Sequence, residues 1–359
     1  MRIMSLFTAL LGMLSCTSGA RFANLDVEAF AEKAADPAVF LVDVRTPDEY
    51  AEGHLRGAAN IDAEAADFLD KMEAACPKET PVAIYCRSGR RSAEAAKKLS
   101  KAGYTVCDLQ GGILAWQEAG KPVTKYAVET FMTDNGLPVR ITLIKHGTLE
   151  IVCKGLSIHI DPVSGLSIPT DYATEFPKAD LILVTHEHGD HFDQAAIAQL
   201  SAGDTRLITN LRCTERLRTD DGASGTRLGY VEVMGNGDTM TLSDDITVEA
   251  VPAYNITEGH TQFHPKGRDN GFILTIDGLR IYIAGDTEDI PEMADIKDID
   301  IAFMPCNQPY TMTPEQLIKA AKTVKPKVLF PYHYGQTDVS SIPSELKGCG
   351  IDVRIRHYE

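Results

Sequence analysis

At 359 residues the chain exceeds the size at which a single hydrophobic core usually stops growing, so two domains are expected. Hydrophobic residues at 44% and charged residues at 24% are ordinary for a globular protein and argue against a disordered or fibrous chain. A formal charge of −16 repels polyphosphate backbones and argues against nucleic acid as a partner.

The chain begins with Arg2, an apolar stretch from Leu6 to Leu14, and Ser15-Cys16, which reads as a secretory signal within residues 1–20. Export to a bacterial envelope is therefore expected. Cys16 after Ser15 has the form of a lipoprotein signal and would attach the protein to a membrane through a lipidated cysteine. Cleavage after Ser18-Gly19-Ala20 would leave a soluble periplasmic form instead. No later apolar stretch is long enough to span a bilayer. The eight cysteines are scattered without disulfide-framework or zinc-motif spacing, so mostly free thiols are expected. Cys76, Cys107, Cys153, Cys213 and Cys349 are expected to be small buried apolar residues.

Short apolar runs from Val39 to Val44 and from Val82 to Tyr85 have the pattern of strands buried on both faces of a parallel sheet. Helical spacing of Ala93, Ala96 and Leu99, with Gly103 beyond, predicts a helix over Ser92 to Lys101. Between the second strand and this helix lies Cys86-Arg87-Ser88-Gly89-Arg90-Arg91. A cysteine at that junction meets loop amides, a helix N-terminus and guanidinium groups, all of which favour thiolate over thiol. The same groups, Arg87, Ser88, Gly89, Arg90 and Arg91, form a cradle for an anionic sulfur donor. Asp43-Val44-Arg45, Gly53 through Ala58, Tyr85 through Ser92, and Gly111-Gly112 with Trp116 together resemble the rhodanese family over residues 22–123. That resemblance implies an α/β domain in which Cys86 accepts sulfane sulfur from a donor and passes it to a thiol acceptor. Asp43, Arg45 and His54 are expected to brace the loop, and Trp116 to pack in the core.

A second pattern starts after Lys121 to Ala127, where Glu129 to Thr133 alternates toward the hairpin signal Asp134-Asn135-Gly136 and Val139 to Ile144 follows. Further strands are predicted at Leu149 to Val152, Ser157 to Ile160, Leu181 to Thr185, Phe272 to Ile276, Arg280 to Ala284, Ile299 to Met304 and Val328 to Phe330, with a helix at Thr313 to Lys322. Straight after Leu181 to Thr185 comes His186-Glu187-His188-Gly189-Asp190-His191. Three imidazoles and a carboxylate at one strand end suit zinc, manganese or iron. His186 and His188 can approach one ion while Asp190 and His191 reach toward a second. Further candidate ligands follow strands or loops: His264, Asp286 and His333.

These motifs resemble the metallo-β-lactamase superfamily over residues 127–359, and their wording is most similar to its branch related to ascorbate-6-phosphate lactonase and uncharacterised metal-dependent hydrolases. The resemblance implies an αββα sandwich holding two divalent ions, zinc or manganese. His186, His188 and His264 would hold the first, Asp190, His191 and His333 the second, and Asp286 would bridge them. His260 competes with His264, because Glu258-Gly259-His260-Thr261 is similar to the third-histidine motif of the glyoxalase II and persulfide dioxygenase branches. His146 and Asp161 are candidates for supporting the ligands, with a plain turn as the equal alternative for Asp161. His159 and His357 carry no functional signal, and Lys266, Arg268 and Tyr310 are surface candidates for an anionic or carbonyl substrate.

The function implied is a hydrolase in which metal-activated water attacks an ester, lactone, amide or phosphoester, with Asp190 as proton shuttle. One alternative is a persulfide dioxygenase with a single iron, because that class also joins the two kinds of domain. Another is a persulfide or redox sensor with a metal-dependent binding domain.

Overall fold

The computed structural model describes residues 22–166, 169–219 and 230–356. The expected signal, Cys16 included, and His357 lie outside these residues. Among the described residues no helix is long and apolar enough to cross a membrane.

The N-terminal domain is built on five parallel strands: β1 (Phe22–Leu25), β2 (Phe40–Asp43), β3 (Ala59–Asn60), β4 (Val82–Tyr85) and β5 (Val106–Leu109). Their order is β1-β5-β4-β2-β3. The runs Phe40–Asp43 and Val82–Tyr85 are buried along their whole length, because helices cover both faces of the sheet. The helix Arg90–Lys101 begins two residues earlier than its spacing predicts, since Gly89 takes a left-handed conformation and starts it.

The C-terminal domain contains two seven-stranded sheets. The first comprises β6 (Ala127–Met132), β7 (Pro138–Lys145), β8 (Thr148–Cys153), β9 (Leu156–Ile160), β10 (Leu181–Leu183), β11 (Arg206–Thr209) and β12 (Tyr230–Val233), in sequential order. The second comprises β13 (Thr239–Ser243), β14 (Ile246–Ala253), β15 (Asp269–Ile276), β16 (Leu279–Ile283), β17 (Ile301–Pro305), β18 (Val328–Tyr332) and β19 (Asp352–Val353), again sequential. Side chains alternate between faces. Leu143 and Leu183 turn inward to meet Phe272, Leu274 and Phe330 between the sheets, whereas Ile144 and Ile182 turn outward under Ala196, Ile197 and Leu200. Burying each such side chain contributes roughly 1.5–3 kcal/mol. Helix Pro314–Val324 covers the second sheet through Leu317, Ala320 and Ala321, completing the four layers.

The domains meet through Arg56 and Arg140, to which the sequence assigns no role, and through His54, whose ring reaches the Tyr50 and Tyr126 carbonyls and not the cysteine loop it is expected to brace. Arg56 donates to the buried Glu150 carboxylate and to the Glu175 carbonyl, and its guanidinium lies 4.2 Å from the Phe176 ring centre. In the opposite direction Arg140 donates to the Asp36 and Val39 carbonyls at 3.2 and 3.0 Å. His54 joins them, its ring nitrogens 3.0 Å from the Tyr50 and Tyr126 carbonyls. Cys349 is exposed and Cys107 half-buried, against the expectation of burial, because both sit where the chain borders solvent.

Candidate metal centre and cysteine loop

Every predicted ligand sits at one end of the two sheets. His146 lies in the turn after β7, Asp161 follows β9, His186 to His191 follow β10, Asp286 follows β16 and His333 follows β18. His264 precedes β15, which runs antiparallel to β16 and so starts where β16 ends. His146, Asp161 and His333 have φ of 46°, 44° and 48°, a left-handed backbone that turns each side chain back over the sheet ends. Gly147 lies so close to His191 that a Cβ there would stand 2.7 Å from the ring.

Three donor groups result, each with ligand atoms within 4.8 Å: His186, His188 and His264; His146, Asp190, His191 and His333; and His186, His191 and Asp286. Asp286 stands between the first two. Its oxygens lie 3.3 Å from His191 Nε2, 3.4 Å from His264 Nε2, 3.4 Å from His333 Nε2 and 3.8 Å from His186 Nε2. His260 lies outside all three groups, with Nδ1 3.4 Å from Glu288.

Buried polar atoms nearly always have hydrogen-bond partners. Here His186 Nε2, His191 Nε2, Asp286 Oδ1 and both nitrogens of His333 are buried with none among the described residues. A cation would satisfy such a set of imidazole nitrogen and carboxylate oxygen donors. The carboxylates also make the site favour positive charge. Burial opposes charge on His191, yet the Asp286 and Asp161 carboxylates outweigh it and raise its pKa to about 9. For His333, burial is likewise outweighed by Asp286 and Asp190, and its pKa rises to about 10. Burial alone would raise Asp286 and Asp190, but surrounding imidazoles hold both below the usual carboxylate range. Burial and the neighbouring histidines keep His186 neutral, which is the ligating form.

Supporting groups fix the rings. Asp161 accepts from His191 Nδ1 at 2.7 Å, from the Thr185 amide at 2.7 Å and from the Thr185 hydroxyl at 2.6 Å. Of its two sequence readings, the structure favours ligand support over a plain turn. Asp269, which the sequence reading missed, lies 3.0 Å from His264 Nδ1 and is held by Arg268 at 2.7 and 2.8 Å. A carboxylate five residues after a histidine gives no periodic signal, and the turn at residues 266–268 brings them together. Arg268 is thereby committed to this support, and Lys266 to Glu292 at 2.6 Å. His146 Nε2 lies 3.2 Å from Asp190 Oδ2, and its ring is 3.7 Å from that of His333. Loss of a carboxylate behind a metal-ligating histidine typically costs about 10–100-fold in metal affinity. Asp161→Asn should therefore weaken binding at the His191 position by this factor and leave the His264 position unchanged. Competition with a chromogenic chelator checks it, and unchanged affinity at both positions would contradict the supporting role.

In the other domain Cys86 is buried at the end of β4. Its sulfur accepts the Gly89 amide at 3.2 Å and the Ser92 hydroxyl at 3.4 Å. Beside it lies a cavity of about 410 Å³ lined by Thr46, Glu49, Glu64 and the loop residues Arg87, Ser88, Arg90 and Arg91. Contrary to the sequence expectation, Arg91 is engaged within the domain and is not left for the donor. Arg91 is bound to both oxygens of Glu49 at 2.7 Å and to Glu64 at 3.4 Å, so its charge is spent on bracing the helix that follows Thr46. Arg87 and Arg90 are exposed and remain at the mouth. Asp43 and Arg45, expected to brace the loop, instead pair with each other at 2.6 Å, and Arg45 holds the Gly53 carbonyl at 2.7 Å.

Comparison with known proteins matches residues 140–333 to the β-lactamase superfamily domain and residues 26–119 to the rhodanese-like domain. A UPF0173 metal-dependent hydrolase from Pyrococcus furiosus is 30% identical over 217 residues, covering 58% of this chain and 91% of the relative. Another from Methanopyrus kandleri is 26% identical over 228 residues, covering 60% and 95%. A solved structure from Parabacteroides distasonis, described as a metal-dependent hydrolase, is 51% identical with a TM-score of 0.60, covering 65% of this chain and all of that one.

Proposed function

The chain belongs to the β-lactamase superfamily and carries a rhodanese-like domain ahead of it, and from that premise we propose a hydrolase working with two divalent metal ions, joined to a sulfurtransferase that uses Cys86. The observation that carries the first half is Asp286, within 3.8 Å of nitrogens from both histidine groups. Such a carboxylate suits two cations a few ångströms apart, and the second donor group of Asp190, His191 and His333 favours this reading over a single iron. Zinc or manganese fits the mixed imidazole and carboxylate set. The bound ions would supply Lewis acidity and an activated water for cleavage of an ester, lactone, amide or phosphoester. His186, His188 and His264 orient one side of the site. Asp190 is the half-exposed acid at its mouth, and with Oδ2 3.2 Å from His146 Nε2 and 3.6 Å from His333 Nε2, Oδ1 is the atom that would take the proton.

In the sulfurtransferase half, Cys86 Sγ attacks the outer sulfur of a donor such as thiosulfate. A new S–S bond forms as the donor's own breaks, sulfite leaves, and a thiol acceptor later removes the outer sulfur. The Gly89 amide and Ser92 hydroxyl hold the sulfur's negative charge, and Arg87 and Arg90 attract the anionic donor.

Chelator-treated protein should lose hydrolysis across a panel of lactones and carboxylic and phosphoric esters, and regain it with zinc or manganese. Its thiosulfate:cyanide transfer should not change. Hydrolysis that survives demonstrated metal removal would overturn the hydrolase reading.

A further inference from the structure

A cavity of about 930 Å³ lies between the domains, away from both the Cys86 loop and the histidine cluster. Its walls come from the helix Phe68–Ala75, from strand β6 and from the segment after β19. Domain junctions are frequent ligand sites, usually apolar with a few polar groups that fix orientation. Val128 and Met132 supply the apolar wall here, and the hydroxyl of Thr130 is buried with no hydrogen-bond partner among the described residues.

The charge around this cavity runs against that of the protein. Lys71, Lys125, Arg354 and Arg356 line it against a single carboxylate, Glu129, in a chain whose formal charge is −16. Glu129 is shared by Arg354 and Arg356 at 2.7 and 2.6 Å, and Arg354 also pairs at 2.8 Å with Asp352, which lies outside the cavity lining, so within the lining two guanidinium groups share one carboxylate. Lys71 is tied to the exposed Asp67 at 3.1 Å, whereas Lys125 is exposed and has no ion-pair partner among the described residues. Excess cations beside a sheltered apolar wall complement a molecule with an anionic head and an apolar body.

We infer that this interdomain cavity is a binding site for an amphiphilic carboxylate, with its chain against Val128 and Met132 on one face of β6 and its carboxylate toward Lys125 and the arginine pair. The site is separate from the proposed chemistry, so its occupation does not depend on bound metal or on Cys86.

Isothermal titration of the full-length protein with decanoate, below its micelle concentration, tests this. One equivalent should bind, equally well to metal-loaded, chelator-treated and Cys86→Ser protein, while acetate and decan-1-ol bind at least about ten-fold more weakly. Lys125→Glu reverses an exposed charge and should weaken decanoate about ten-fold. Ala74→Trp, at an exposed helix position on the cavity wall, should block binding while hydrolysis and sulfur transfer continue. The inference is overturned if decanoate gives no saturable binding, if decan-1-ol binds as well, if binding vanishes with the metal, or if neither substitution changes it.

Discussion

Asp286→Ala should strip metal from both positions of the C-terminal site, lowering affinity by more than ~100-fold at each, because even losses behind a ligand cost about 10–100-fold. The reason is geometric. Asp286 lies within 3.8 Å of nitrogens from both histidine groups, so its removal leaves each cation short of a ligand and exposes the two to their mutual repulsion. His333→Ala should empty mainly the position shared with Asp190 and His191, and His264→Ala mainly the one shared with His186 and His188. His260→Ala should leave the metal count intact, since that ring faces Glu288 instead. Metal analysis of the four purified variants checks the set. Full occupancy in Asp286→Ala, or metal loss in His260→Ala but not in His264→Ala, would contradict the assignment.

Cys86→Ser should reduce transfer of sulfur from thiosulfate to cyanide by more than ~10³-fold, the scale on which loss of a nucleophile acts. Serine is close in size to cysteine and keeps an acceptor for the Gly89 amide, so the fold and the metal content should not change. Arg91→Ala offers a contrast. Because Arg91 braces Glu49, its loss should act by loosening the loop, lowering turnover more than donor binding, whereas Arg87→Ala should raise the KM for thiosulfate. Steady-state kinetics separate these effects, and full transfer activity in Cys86→Ser would refute the role given to that cysteine.

What could be read from the residues depended on how local the signal was. The loop from Cys86 to Arg91 and the run from His186 to His191 each put several reactive groups within six residues, and both lie where strands end. His264, Asp286 and His333 follow as single residues, recognisable only through the short motifs around them. No periodicity marks Asp269 as the partner of His264 across the turn between them, and the clasp of Arg56 on Glu150 crosses from one domain to the other. Strands Arg206–Thr209 and Ile246–Ala253 also escaped the pattern reading. Polar residues at Arg206, Thr209, Thr247 and Glu249 interrupt their apolar runs, and pairing with neighbouring strands is what fixes them. In the N-terminal loop the three arginines look equivalent in sequence, yet the fold spends one of them on Glu49.

If Asp286 joins a pair of cations, the unmodified protein carries both. Elemental analysis of protein purified without added chelator should find two equivalents of zinc or manganese per chain. One equivalent of iron, with the second position empty even under excess divalent metal, would contradict the account.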